Sequence, residues 1–161
     1  YETNLLVFRK RFHINYEFVE ITKREVLLKN LYPLFKGEKR IPTGSIWFKI
    51  SENYNYFFIN EFLGFRLHLS EGLSKNIGFH KITSPQSSFY YEYQVFKSSK
   101  IKIFYKIKSL IFMNRFRLHF NNYNELSIKK NLNILLYLFF IFGFAIYLSD
   151  KLIYRKYFKN K

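Results

Sequence analysis

The sequence predicts an α+β protein with an N-terminal helix, a small antiparallel sheet and a C-terminal apolar helix. Three patterns lead to this prediction: apolar residues recur at helical spacing near the N-terminus, several later runs alternate apolar and polar residues, and one long run is apolar except for Asn133. The length of 161 residues suits one domain with a tail. We expect a compact core over residues 1–70, a loop over 71–88, a basic strand-rich extension over 89–128, and an apolar helix with a basic tail over 129–161.

The N-terminal helix is predicted from about Glu17 to Leu31. Within it, Phe18, Ile21 and Leu28 share one helical face, and the proline two residues beyond its end cannot continue a helix. No signal peptide is expected from the first residues of the sequence.

The small sheet is predicted as a hairpin of two strands, Ser45–Ile50 and Tyr54–Ile59, joined by three residues. Glu61–Leu69 is expected to form a short helical turn. The segment over 71–88, rich in serine and containing glycine and proline, is predicted to be a loop.

Three further strands are predicted at Phe89–Phe96, Ile101–Lys108 and Arg115–Phe120. In the last two, apolar and basic residues alternate, and side chains on a strand point alternately to its two faces. Each strand would therefore offer an apolar side for packing and a basic side for an anion, although a solvated basic face gives the same pattern. The cations of these two basic faces are Lys102, Lys106, Lys108, Arg115 and Arg117.

The apolar run Leu132–Leu148 is the strongest physical signal in the chain. Seventeen residues of helix span roughly 26 Å, whereas a bilayer core is about 30 Å thick. The run is therefore predicted to be either a short membrane span or a helix buried within a large assembly. Residues along it that would face lipid or protein include Leu132, Leu135, Phe139, Phe142 and Ile146.

The distribution of charge favours a polyanionic partner. The net charge is +16, and from Lys97 onward the chain has 14 basic residues but only two acidic ones, Glu125 and Asp150. Neutralising phosphates with such cations releases counterions and favours binding to any RNA sequence; an anionic membrane surface is the competing explanation. More than half of the residues are Phe, Tyr, Met, Ile, Asn or Lys. This bias indicates an AT-rich genome, such as a mitochondrial one. Because their codons are AT-rich, lysine and phenylalanine are abundant in such a protein whatever its function.

The residue types that carry most enzyme chemistry are scarce. The chain has no cysteine, one aspartate and four histidines without metal-ligand spacing. It contains no glycine-rich phosphate loop, no GxSxG turn and no HExxH motif. We therefore expect neither catalysis, nor a cofactor, nor a metal site.

Short stretches between residues 17 and 69 resemble the small-subunit ribosomal protein S-nineteen family. Lys39-Arg40-Ile41-Pro42-Thr43-Gly44 is similar to that family's basic loop before a strand, and Phe58-Ile59-Asn60-Glu61-Phe62-Leu63-Gly64-Phe65-Arg66-Leu67 to its Phe-Val-Thr-Glu-Met-Val-Gly-His-Lys-Leu pattern. The family's Trp-Lys-Gly-Pro opening and its His-Asn-Gly turn are absent here. The resemblance implies an architectural protein of the small-subunit head that binds ribosomal RNA beside neighbouring ribosomal proteins, with Lys39, Arg40 and Arg66 on RNA.

Two functions are thus expected from the sequence. The first is a structural component of a mitochondrial small ribosomal subunit. The alternative is a single-pass accessory subunit of a mitochondrial inner-membrane complex, such as a respiratory complex or ATP synthase, since the apolar run fits that function as well. A protein held peripherally on anionic lipid is a third hypothesis.

Overall fold

The computed structural model describes residues 2–3, 19–65, 76–120 and 130–159, and 64% of these residues are helical. The helices are α1 (Arg24–Lys29), α2 (Gly44–Asn53), α3 (Ile77–Thr83), α4 (Pro85–Lys97), α5 (Ile103–Arg117), α6 (Lys130–Leu138), α7 (Phe140–Ile153) and α8 (Arg155–Lys159). In these residues the only strand pairing joins β1 (Glu2–Thr3) to β2 (Tyr56–Phe57), antiparallel and two residues long. The predicted α+β class with its small antiparallel sheet is therefore wrong.

The first predicted hairpin strand, Ser45–Ile50, is instead the body of α2. Ile46 and Ile50 lie one turn apart and both are 3% exposed, so the buried pattern has the helical and not the strand period. Only two residues of the second predicted strand pair with β1. Residues 61–65, at the start of the predicted helical turn, are not helical, and residues 66–69 lie outside the described residues.

The loop expected over 71–88 contains α3 and the start of α4, and the strand expected at Phe89–Phe96 belongs to α4. Pro85 opens α4, where a proline loses no hydrogen bond and its backbone angle suits a helix. The carboxylate of Glu38 accepts hydrogen bonds from the backbone N–H groups of Gln86 and Ser87, at 2.6 and 2.8 Å. A distant carboxylate thus caps the first turn of α4, where the helix dipole favours negative charge.

Residues 103–108 and 115–117 of the two predicted strands with basic faces belong to a single helix, α5. Its buried residues, which include Leu110, Met113 and Phe116, recur every three or four positions, and no glycine or proline interrupts the segment. Apolar and basic residues do alternate within each predicted strand, but over the whole segment the buried residues have the spacing of a helix. The basic extension predicted over 89–128 is therefore mostly helical where it is described, with non-helical residues only at 98–102 and 118–120.

The N-terminal helix is present but short. α1 occupies six residues within the predicted range, and its end is fixed when the Asn30 side chain donates to the Val26 carbonyl at 2.8 Å. Residues 19–23 precede it without helical structure, while residues 17 and 18 lie outside the described part.

The core lies where α4, α5 and α6 meet. α4 and α5 pack side by side, and α2 packs on the opposite flank of α4. The buried apolar cluster consists of Phe89, Leu110, Met113, Phe116, Leu132 and Leu136, with Tyr93, Phe96, Phe112, Phe120 and Phe139 packed around it. The interfaces also bury many small polar residues, among them Ser45, Ser87, Ser88 and Ser109, which allow helices to approach closely.

The predicted C-terminal apolar helix is broken into α6 and α7, which meet at an angle of 67°. The Leu136 carbonyl, which a continuous helix would offer to the amide of residue 140, accepts a hydrogen bond from the Asn114 side chain at 2.7 Å. A side chain inserted into the helical hydrogen-bond ladder is an established cause of sharp kinks. Among the described helices, none alone has the length and apolarity to cross a bilayer, whereas α6 and α7 meet that test only as a bent pair.

Candidate nucleic-acid interface

A cluster of three charged or ionisable side chains fixes α7 across α5. Asp150 accepts hydrogen bonds from Arg115 Nε at 2.7 Å and Nη2 at 2.6 Å, and His119 Nε2 lies 3.0 Å from the same carboxylate. The Arg115 and Asp150 side chains are only 14% and 5% exposed. Burial alone would raise the pKa of Asp150, but hydrogen bonds from His119 and Arg115 lower it below its ordinary value. We call Arg115, His119 and Asp150 the ion cluster.

The backbones of α5 and α7 come very close beside the ion cluster. A Cβ atom at Gly143 would lie 2.4 Å from Asn114 Cβ and 2.7 Å from the Ile111 carbonyl oxygen. Gly143 and Asp150 are two helical turns apart and so face α5 together. Glycine permits the approach, and the ion cluster holds it.

The ion cluster removes one residue from the predicted RNA-binding set. The Arg115 guanidinium is committed to Asp150 and stacks near the rings of Phe112 and Phe116, with centroid distances of 5.7 and 5.1 Å. It therefore cannot lie on an outward basic face, as the strand prediction required. In the sequence, Asp150 lies two residues beyond the apolar run Leu132–Leu148. A lone carboxylate there needs a buried cation, and that signal could have located Arg115.

The other cations of the predicted set lie in different settings. Lys39 and Lys102 are exposed, Arg40 and Lys106 are half-buried, and Arg66 lies outside the described residues. Lys108 is exposed and its ammonium lies 5.7 Å from the centroid of the Phe112 ring. The Arg117 guanidinium is 5.7 Å from the Tyr137 ring of α6. These cations therefore do not form the two basic strand faces that the sequence predicted. They lie at separate places on the surface.

The acidic side chains from α3 to α8 point inward. In residues 76–120 and 130–159 the only carboxylates are Glu92 and Asp150; Asp150 is buried in the ion cluster, and Glu92 is mostly buried and hydrogen-bonded to Ser109. The charged groups at the surface of this part of the molecule are therefore mostly cations. We call this the cationic surface; it comprises Lys81, Lys97, Lys100, Lys102, Lys106, Lys108, Arg117, Lys151, Arg155, Lys156 and Lys159.

A second surface is apolar. The outer sides of α6 and α7 expose Ile134 (59%), Leu138 (69%), Ile141 (77%), Phe142 (59%) and Leu152 (76%). Of the residues predicted for a membrane or buried helix, Leu132 is buried, Phe139 and Ile146 are half-buried, and Leu135 and Phe142 are exposed. Contiguous apolar surface of this kind is typical of a face covered by a protein partner or by lipid. We call it the apolar face.

The described residues offer no cluster of three metal-ligating side chains. Comparisons of the chain with protein-family models, with curated proteins and with solved structures found no match.

Proposed function

We propose that this protein is a structural, non-catalytic component of a mitochondrial small ribosomal subunit that binds ribosomal RNA. The observation that carries the proposal is the cationic surface, whose cations are exposed or half-buried, while Asp150 is buried in the ion cluster and Glu92 is half-buried and hydrogen-bonded to Ser109. AT-biased codons account for an abundance of lysine, but they do not account for the burial of the acids. Such a surface attracts a phosphate backbone whatever its base sequence.

The resemblance to the S-nineteen family supports the choice of assembly through sequence alone, because helix α2 follows Thr43 where the family's pattern has a strand. It places Lys39, Arg40 and Arg66 on RNA, and Lys39 is exposed. In a ribosomal assembly the apolar face would be covered by a neighbouring protein, which accounts for its exposure in the isolated chain.

Sedimentation tests the proposal at the level of the assembly. Mitochondrial ribosomes are washed with high salt and detergent and separated on a gradient. The chain should sediment with the small subunit; its absence from that fraction would refute the proposal.

Charge reversal tests it at the level of residues. Replacing Lys102, Lys106 and Lys108 together by glutamate should weaken incorporation into the particle and leave the helical circular dichroism of the isolated chain intact. The matched control reverses three exposed cations of α1, Lys23, Arg24 and Lys29. Equal incorporation of the test and control variants would mean that these lysines are only solvated.

The apolar face favours a second candidate, an accessory subunit of an inner-membrane complex. Since the α6–α7 pair is bent, it would lie in the bilayer interface with the basic residues Lys151, Arg155 and Lys156 near lipid headgroups. Carbonate extraction separates the candidates: a ribosomal component is released with ribosomal markers, whereas a membrane subunit stays in the pellet.

A further inference from the structure

Side chains from three helices converge at the junction of α3, α4 and α5. The Ser88 hydroxyl of α4 donates to the Lys81 carbonyl of α3 at 2.9 Å, and Glu92 follows one turn later on the same face of α4. The Glu92 carboxyl is hydrogen-bonded to Ser109 of α5, whose neighbour in sequence is Lys108. Lys81 and Lys108 are both close enough to Glu92 to interact with it electrostatically.

A fourth side chain reaches this junction from the segment before α2. Glu38 is fixed to the first turn of α4 by the two hydrogen bonds described above, which places Arg40, two residues further on, beside the same end of α4. Arg40 and Lys81 are close enough to interact electrostatically. The Nη1 atom of Arg40 is shielded from solvent, and no acceptor among the described residues bonds to it.

Positive charge is in excess at this junction. The Asp150 carboxylate is already occupied by Arg115 and His119, which leaves Glu92 and Glu38 as the carboxylates near this junction among the described residues. Burial raises the pKa of Glu92 to about 7, so that it is partly protonated at neutral pH. Burial also lowers the pKa of Lys81, and the nearby Arg40, Arg115 and Lys108 lower it further. Among the described residues, three cations therefore face Glu92, which is partly protonated, and Glu38, whose carboxylate is held by the first turn of α4.

We propose that Arg40, Lys81 and Lys108 form a binding site for a phosphate group beside Glu92. A phosphate oxygen can accept from a guanidinium and from two ammonium groups at once, and charge-assisted hydrogen bonds of this kind are the strong ones. It would supply the acceptor that Arg40 lacks and the negative charge that the junction lacks. In the ribosomal assembly the group is a phosphate of the RNA backbone; only this choice of source rests on the proposed function.

Thermal unfolding of the full chain tests the site with inorganic phosphate as the probe. Phosphate should raise the unfolding midpoint more than potassium chloride of equal ionic strength, because a ligand that binds the folded state stabilises it. Lys81→Gln and, independently, Lys108→Gln should each weaken phosphate binding roughly tenfold, the loss expected for one charge-assisted hydrogen bond. Lys36→Gln is the matched control: it removes one exposed positive charge four residues before Arg40 in the sequence and should leave phosphate binding unchanged.

Because Lys108 is exposed, its variant keeps the test valid even if the Lys81 variant does not fold. The site is refuted if phosphate and chloride stabilise equally, or if Lys36→Gln weakens binding as much as Lys108→Gln does.

Competition identifies the source of the phosphate group. A short RNA duplex should compete with inorganic phosphate in the wild type and compete less in Lys108→Gln. Competition by phosphatidylglycerol vesicles, but not by RNA, would overturn the RNA source in favour of lipid headgroups. Absence of the chain from ribosomes would remove the RNA source but would leave a positive result with inorganic phosphate standing.

Discussion

Gly143→Ala is expected to destabilise the contact between α5 and α7. The added Cβ would lie 2.4 Å from Asn114 Cβ, 2.7 Å from the Ile111 carbonyl oxygen and 3.0 Å from the Arg115 amide nitrogen. Two of these three atoms belong to the backbone, so rotating a side chain cannot relieve the clash. α7 must move away from α5, and the ion cluster, with N–O distances of 2.6 to 3.0 Å, must stretch or rearrange.

The magnitude follows from two opposing effects. Overpacking costs about 1–3 kcal/mol and more where backbone must shift, while alanine gains up to about 1 kcal/mol over glycine within a helix. The free energy of unfolding should therefore fall by about 2 kcal/mol, which lowers the melting temperature by roughly 4–8 °C for a chain of this length.

The assay is thermal unfolding followed by circular dichroism at 222 nm in mild detergent. Ser149→Ala is the control, since it alters an exposed position of the same helix and should change the melting temperature little. If Gly143→Ala is as stable as the wild type, or more stable, then α5 and α7 do not make the close approach described here.

Three further predictions concern buried carboxyl groups. Asp150→Asn should cost about 3–5 kcal/mol of unfolding free energy, because it leaves the buried Arg115 charge without its partner; in urea titrations the double variant Asp150→Leu with Arg115→Met should recover much of that loss, and no recovery would contradict a buried ion pair. Glu38→Gln should cost about 1–2 kcal/mol through loss of the charged cap of α4, and an equal loss in the exposed control Glu61→Gln would refute the cap. Glu92 has a pKa of 4.5 in the reference state and about 7 in the folded chain, so its contribution is most favourable below pH 4.5. That contribution falls by up to about 3 kcal/mol as the pH rises through 7. Glu92→Gln should remove this fall in urea titrations at pH 5 and pH 8, and a fall that persists in the variant would show that another group causes it.

The sequence predicts some features because they depend on local composition alone. The apolar run was found because nearly every residue in it is apolar. Its break was not found, because the break depends on Asn114, which lies 22 residues before Leu136 in the chain. No local pattern within α6 or α7 contains that information.

The strands of the extension were predicted wrongly for a different reason. Alternation over a run of eight residues fits a strand. On α5, however, the buried residues include Leu110 and Met113, which lie between the two predicted strands, and Phe116, which lies in the second. The lysines at the start of α5 can also reach water from a helix, because their long side chains carry the ammonium away from apolar neighbours. An alternation of apolar and basic residues therefore does not distinguish a strand from a helix.

The cationic surface was predicted in part. The excess of basic residues after Lys97 is visible in the sequence, whereas the burial of Glu92 and Asp150 depends on how α4, α5 and α7 pack. The placement of Arg115 was missed for the same reason, since its partner Asp150 lies 35 residues away. The phosphate site depends on Arg40 and Lys81, which only the tertiary structure brings to one junction.

The salt dependence of RNA affinity tests the central claim most directly. The affinity of the full chain for a structured RNA is measured by fluorescence anisotropy over a series of potassium chloride concentrations. If outward cations of α3–α8 contact the phosphate backbone, the logarithm of the affinity should fall linearly with the logarithm of salt concentration, and neutralising Lys102 and Lys108 together should reduce the slope by about two. An affinity that does not respond to salt, or a slope that stays the same in this variant, would contradict the assignment of the cationic surface to RNA.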